Sequence, residues 1–263
     1  MSKLKRLVPP VILDYKRKLF PSRYGWFGDY SNWEEASQNA SGYDSDIILN
    51  KVLRATQAVL NGEAEFERDS VLFYEKDYQF HISTALLWIA SQNNLQLNVL
   101  DFGGALGSTY FQNRLFLNKL NVTWNIVEQR SFVEAGKLYF ENERLKFHPS
   151  IKECASNLTP DLLLLSSVLA YLPEPYKMLE EMFSYNFQYL IIDKHPFIHA
   201  ANDRLTVQKV QPDIYEANYP AWFFSKQKFL GFLADKYEII YDYQYILPNS
   251  LGADFTCIVA RLK

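Results

Sequence analysis

Residues 97–108, Leu97-Asn-Val-Leu-Asp-Phe-Gly-Gly-Ala-Leu-Gly-Ser108, constrain the fold of this chain more than any other stretch. Leu97, Val99 and Leu100 read as a short buried strand that ends at Asp101. Gly103, Gly104 and Gly107 then fall within five positions, which permits a tight turn and a close approach of backbone to a ligand. A helix-length segment from Ser108 to Leu120 follows, with Tyr110, Phe111, Leu115 and Leu117 as its apolar residues. Strand, glycine loop and helix together aim unpaired helix N–H groups at an anionic part of a ligand. The expectation is an α/β chain with a nucleotide-type binding loop.

The sequence downstream alternates as a parallel sheet requires. Val122, Trp124 and Ile126 alternate into Val127-Glu128, and Glu128 lies 21 residues past Gly107. An acid at the end of the second strand, about 20 residues beyond such a loop, hydrogen-bonds ribose hydroxyls, because a carboxylate offers two acceptor oxygens to a diol. A brief strand is expected at 145–147, and Asp161-Leu-Leu-Leu-Leu-Ser166 reads as a strand buried on both faces. A helix is expected from Pro175, and Tyr189-Leu-Ile-Ile-Asp193 is the fifth strand. Residues 197–224 show no regular pattern. Ser225 starts a further helix, and strands at 238–246 and 253–262 form a closing hairpin.

Loop spacing separates two cofactor classes. A dinucleotide fingerprint needs G-x-G-x-x-G, but from Gly103 the chain gives Gly103, Ala105 and Ser108, keeping the first glycine alone. Asp101, Gly103 and Gly107 instead resemble the D-x-G-x-G-x-G motif of class I S-adenosylmethionine-dependent methyltransferases, with Ala105 in place of the middle glycine. Ser166-Ser-Val-Leu-Ala-Tyr-Leu172 resembles the fourth-strand motif of the same enzymes. Phe27-Gly-Asp-Tyr-Ser-Asn-Trp-Glu-Glu-Ala36 and Tyr219-Pro-Ala-Trp-Phe-Phe224 look like parts of a family of bacterial methyltransferases whose members tend to be associated with surface-polysaccharide genes.

Helical patterns at 45–61 and 80–91 give a largely helical N-terminal cap at 1–94. The resemblance implies a Rossmann-like, seven-stranded mixed sheet at 95–263. It implies S-adenosyl-L-methionine as cofactor, with S-adenosyl-L-homocysteine as product, held by Asp101, Phe102, Gly103, Gly104, Ala105, Gly107, Glu128, Gln129, Ser166, Ser167 and Tyr171. Asp101 is expected near the methionine amino group. A hydroxyl acceptor, a sugar or related glycan precursor, needs a general base at pH 7. His195 and Asp193 are the catalytic candidates, because ligands bind at the carboxyl edge of open α/β sheets. Tyr219, Trp222, His199 and Arg204 are candidate acceptor contacts, and no metal site is expected. Two alternatives stay open: a cofactor-binding partner protein without turnover, and an NAD(P)-dependent oxidoreductase.

Composition narrows the partners. Net charge is −3, with no basic excess to suggest nucleic acid. Cys154 and Cys257 have no metal-ligand spacing and suggest a reducing, cytoplasmic setting. No run reaches the roughly 18 apolar residues of a membrane span. The basic lead around Pro9-Pro10 is expected either to strap the domain or to touch an anionic membrane surface weakly.

Overall fold

The structure, a computed structural model, describes residues 23–42, 45–157, 160–212, 214, 216–245, 249 and 251–263. The basic lead lies outside the described residues.

Strands β4 (Gln96–Phe102), β5 (Asn121–Val127), β6 (Leu145–His148), β7 (Leu162–Ser166) and β8 (Tyr189–Ile198) pair in parallel in the order β6-β5-β4-β7-β8. Beyond β8 lie β12 (Asp254–Leu262) and then β11 (Tyr237–Tyr245), both antiparallel to their neighbours. This is the seven-strand, Rossmann-like order expected from the sequence. Its physical basis is plain in β7, where Leu162 to Leu165 are all fully buried. Each contributes roughly 1.5–3 kcal/mol of burial. Leu162 and Leu164 face one apolar cluster, Leu163 and Leu165 the other, so both faces of the sheet are covered.

Helices α2 (Ser45–Leu60), α3 (Phe80–Gln92), α4 (Ser108–Leu117) and α5 (Arg130–Tyr139) carry the first cluster. Helices α7 (Pro175–Phe183) and α8 (Lys226–Ala234) carry the second, with α6 (Ile151–Asn157) adding Ile151 and Cys154. Helix α8 is capped as expected by Ser225, whose side chain accepts from the Lys228 N–H.

Two regions differ from expectation. Residues 197–224 are not irregular. Strand β8 runs on to Ile198, and β9 (Arg204–Lys209) and β10 (Asn218–Ser225) form an antiparallel pair that joins β8 through Phe224 and Ser225. Pro220 masks the strand pattern in sequence. It is tolerated opposite Val207 because β10 meets β8 only at its far end, leaving that side of Pro220 without a ladder partner. The N-terminal cap is also not wholly helical. Besides α2, α3 and the short α1 (Trp33–Gln38), it contributes β1 (Gly25–Tyr30), which pairs with β9 despite two glycines. It also contributes the hairpin β2 (Phe66–Arg68) and β3 (Val71–Phe73), turned by Asp69 and Ser70 at positive φ. The main sheet thus has ten strands among the described residues. None of the described helices is long and apolar enough to cross a membrane.

Candidate functional site

A cavity of about 1170 Å³ opens at the carboxyl ends of β4, β5 and β7. Its floor is made at the strand ends: Phe102 and Gly103 at the end of β4, Glu128 and Gln129 after β5, and Ser167, Val168, Tyr171 and Leu172 after β7. Pro149 and Ser150 border it after β6. Its opposite wall is the added material, with Trp33 and Gly42 from the N-terminal region and Gln208, Tyr219 and Pro220 from the β9–β10 pair.

The backbone at this edge is held in unusual conformations. Ala105, Ser167 and Lys194 all have positive φ, at 50°, 57° and 54°; the first two follow strands β4 and β7, and Lys194 lies within the neighbouring β8. Such residues are uncommon outside glycine and cluster where a fold is committed to a site. Gly103, at φ 74°, needs to be glycine twice over, since a Cβ there would lie 2.6 Å from Val168. The Gly103 N–H donates to the Val127 carbonyl, and Gly107 caps α4 at φ 101°.

The expected cofactor residues divide into two groups. Phe102, Gly103, Glu128, Gln129, Ser167 and Tyr171 line the cavity. Asp101, Gly104, Ala105, Gly107 and Ser166 do not; they build the edge from beneath. Asp101 is 1% exposed, its carboxylate accepting from Trp124 Nε1 at 3.0 Å. That carboxylate lies so close under the loop that a Cβ on Gly104 would come within 2.5 Å of it. Burial pushes Asp101 up to about 7, the Trp124 N–H opposes this, and the nearby charges of Glu128 and Asp193 add to it. The Glu128 carboxylate accepts from the Gln129 N–H at 2.6 Å and from the Ala105 backbone, and burial raises it.

The acceptor candidates fare unequally. Tyr219 lines the cavity, its ring edge-on to Tyr171 at 5.2 Å, while the Tyr171 hydroxyl donates to Gln208 at 2.8 Å. Trp222 turns away: its indole N–H donates to the Leu172 carbonyl, and its ring backs Trp33 at 6.4 Å. Arg204 is occupied in bonding the Gly28 carbonyl, tying β1 down. His199 is 70% exposed and contacts Asp254 at 2.9 Å. Neither Arg204 nor His199 lines the cavity.

His195 does not line the cavity. It is fully buried, its Nε2 accepts from the Leu169 N–H at 3.0 Å, and its ring packs near Phe224. Burial lowers it to about 4, against the pull of the Asp193 charge. Asp193 does not orient it, because its carboxylate turns to the other side of the sheet. There it accepts from Ser166 at 2.8 Å and from Tyr245 at 2.5 Å, with Lys194 Nζ at 3.5 Å and His81 Nε2 at 3.7 Å. Burial alone would raise Asp193. Lys194, the nearby His81 and the hydrogen bonds from Tyr245 and Ser166 outweigh it and hold the carboxyl well below the usual carboxylate range.

His81, Lys194 and Tyr245 were not among the expected site residues. Nothing in local sequence brings them to Asp193, since three separate elements meet there. Trp33 was signalled by the motif at 27–36, and Gln208 by the alternation of Leu205 and Val207, which read as a strand once β10 is seen beside it.

No protein-family model matches the chain, and no curated protein matches it. Among solved structures, the N-terminal domain of EvdMO1, crystallised in the presence of S-adenosylhomocysteine and D-fucose, is similar over 84% of this chain and 98% of that domain, with 12% identity and a TM-score of 0.50. The magnesium protoporphyrin IX methyltransferase of Synechocystis PCC 6803, with bound S-adenosylhomocysteine, matches over 81% of this chain and 100% of its own, with 14% identity and a TM-score of 0.47. A methyltransferase of Methanosarcina mazei matches over 65% and 96%, with 16% identity and a TM-score of 0.45. With the strand order above, the EvdMO1 likeness shows a Rossmann-like α/β fold.

Proposed function

We propose that this protein is an S-adenosylmethionine-dependent methyltransferase acting on a hydroxyl of a sugar or related small precursor of a cell-surface polysaccharide, in the cytoplasm. The observation that carries the reading is the joint placement of Gly103, Glu128 and Ser167 on one cavity at the carboxyl edge of β4, β5 and β7. The residues present fit the cofactor. Glu128, fixed by the backbone of Gln129 and Ala105, offers carboxylate oxygen to a ribose diol. Gly103 lets a ligand approach the backbone. Pro149 and Ser150 border the side where adenine sits in the resembling enzymes.

When bound, S-adenosylmethionine supplies an electrophilic methyl group on sulfonium. The protein's contribution is to hold the acceptor in line at near-attack distance, which is worth roughly 7–11 kcal/mol in the best model systems. In this reading residues 95–263 carry the cofactor. Trp33 and Gly42 of the N-terminal region and the β9–β10 pair close over the acceptor, with Trp33 and Tyr219 as apolar walls for a sugar ring. D-Fucose, present in the EvdMO1 crystals, heads the acceptor panel on this ground.

The test is calorimetry with S-adenosylmethionine, S-adenosylhomocysteine, NAD(H) and NADP(H), followed by radiolabelled methyl transfer to D-fucose and a set of nucleotide sugars. Binding of the two sulfur compounds alone supports the reading, and Glu128→Ala should weaken it by about tenfold to a hundredfold. Binding of nicotinamides alone overturns it. Cofactor binding without transfer to any hydroxyl would favour the partner-protein alternative.

A further inference from the structure

The side chains around Asp193 form a second constellation, outside the cavity lining but joined to it. Ser166, which donates to Asp193, precedes Ser167, and Asp69, within electrostatic reach of Lys194, lines the cavity. His81, on the first turn of α3, is gripped by three tyrosines that alternate along β11. The Tyr241 hydroxyl donates to the His81 carbonyl at 2.8 Å, the Tyr243 ring stacks on the imidazole at 4.4 Å, and the Tyr245 hydroxyl contacts Nε2. One face of a strand is therefore spent on fixing one histidine, whose side chain stays 10% exposed.

We propose that His81, Tyr245 and Asp193 form a relay in which Nδ1 of His81 is the base that takes the acceptor's hydroxyl proton. The inference rests on the methyltransferase reading above. The hydrogen-bond directions fix the tautomer. Tyr245 has one proton and gives it to Asp193, so its oxygen faces His81 Nε2 as an acceptor. Nε2 must then carry the hydrogen, and Nδ1 keeps its lone pair, with no partner among the described residues. As the acceptor oxygen gains the methyl carbon of the sulfonium donor, its O–H proton passes to Nδ1, and the carbon–sulfur bonding pair stays on sulfur. The resulting imidazolium is stabilised through Tyr245 by the ionised Asp193, the arrangement of a base oriented by a buried carboxylate. Tyr245 and Asp193 are positioning residues in this scheme.

The other charged and titratable groups around His81 are consistent with it. From β8 come Asp193 and Lys194, from β11 Tyr241, Tyr243 and Tyr245, from β12 Cys257, and from the β2–β3 turn Arg68 and Asp69. His81, Asp193 and Cys257 offer donor atoms within 4.8 Å of one another, the reach of a metal ion. A cation is disfavoured there, because Lys194 already places an ammonium beside Asp193 and burial keeps the Cys257 thiol protonated.

The test is two-dimensional 1H–15N NMR of the imidazoles of the full-length protein, with the His81 signal assigned by its loss in His81→Gln. The expected result is an Nε2–H tautomer in the neutral form, which Tyr245→Phe and Asp193→Asn turn into a mixture of the two tautomers. An Nδ1–H tautomer in the wild type, or an Nε2–H tautomer that Tyr245→Phe leaves unchanged, overturns the relay. So does stoichiometric zinc in the purified protein. Failure of S-adenosylhomocysteine to bind wild-type protein would instead sink the methyltransferase reading while the NMR still decides the relay. On any hydroxyl acceptor the wild type methylates, His81→Gln should lower kcat by about 10²–10⁴-fold with KM and S-adenosylhomocysteine affinity kept. An unchanged kcat excludes His81 as the base.

Discussion

The Tyr245 hydroxyl donates to Asp193 Oδ1 across 2.5 Å, joining the end of β11 to the middle of β8 although β12 lies between these strands in the sheet. A hydrogen bond to a buried ionised group is worth about 1.5–3 kcal/mol. Tyr245→Phe should therefore lower the unfolding free energy by an amount in that range, read as a lower urea midpoint with the slope of the transition unchanged. An unmoved midpoint would mean that Ser166, Cys257, Lys194 and His81 satisfy Asp193 without it.

His195 sets a pH limit on the fold. Its folded value near 4 lies below the ordinary 6.5, because the buried ring resists charging. The unfolded chain takes the proton first, so the stability His195 permits is complete above about pH 6.5. It is lost as pH falls toward 4, to a total of roughly 3 kcal/mol. His195→Gln, which keeps an acceptor for the Leu169 N–H, should flatten that decline in urea melts at pH 7 and pH 4.5. An equal decline in both proteins would place the acid sensitivity elsewhere.

Asp101 acts in the opposite direction. Its folded value near 7 lies above the ordinary 3.8, so the unfolded chain loses the proton first as pH rises. Ionised Asp101 then costs the fold on the order of 3–4 kcal/mol above pH 7. Asp101→Asn can still accept from the Trp124 indole and should be the more stable protein at pH 8, with little difference near pH 4. A stability difference that does not change between these pH values would contradict the burial argument.

Ala105 holds a left-handed conformation, at φ 50°, where an L side chain costs roughly 1–2 kcal/mol. Ala105→Gly relieves this, offset in part by greater freedom of the unfolded chain. The net gain should be about 1 kcal/mol or less, a rise in Tm on the order of 2–4 °C by calorimetry. A fall in Tm would show that the methyl group packs well enough to outweigh the strain.

Local sequence determined the central sheet. The glycine loop behind Asp101, the four leucines of β7 and the acid at the end of β5 each express a constraint met within a few residues, by backbone sterics or by burial on both faces. That is why the strand order and the position of Glu128 on the cavity were legible. Tertiary structure alone decided the rest. Whether Asp101 faces a ligand or lies beneath its own loop depends on Trp124 reaching across from β5. Whether His195 or His81 meets Asp193 depends on which side of the sheet each strand end turns its side chains toward. That choice is made where β8, α3 and β11 pack together, and no periodicity within one segment records a meeting of three. The β9–β10 pair and β1 escaped notice for a similar reason. Pro220 weakens β10 and two glycines weaken β1 taken singly, and both are stable because β9 between them completes the ladder.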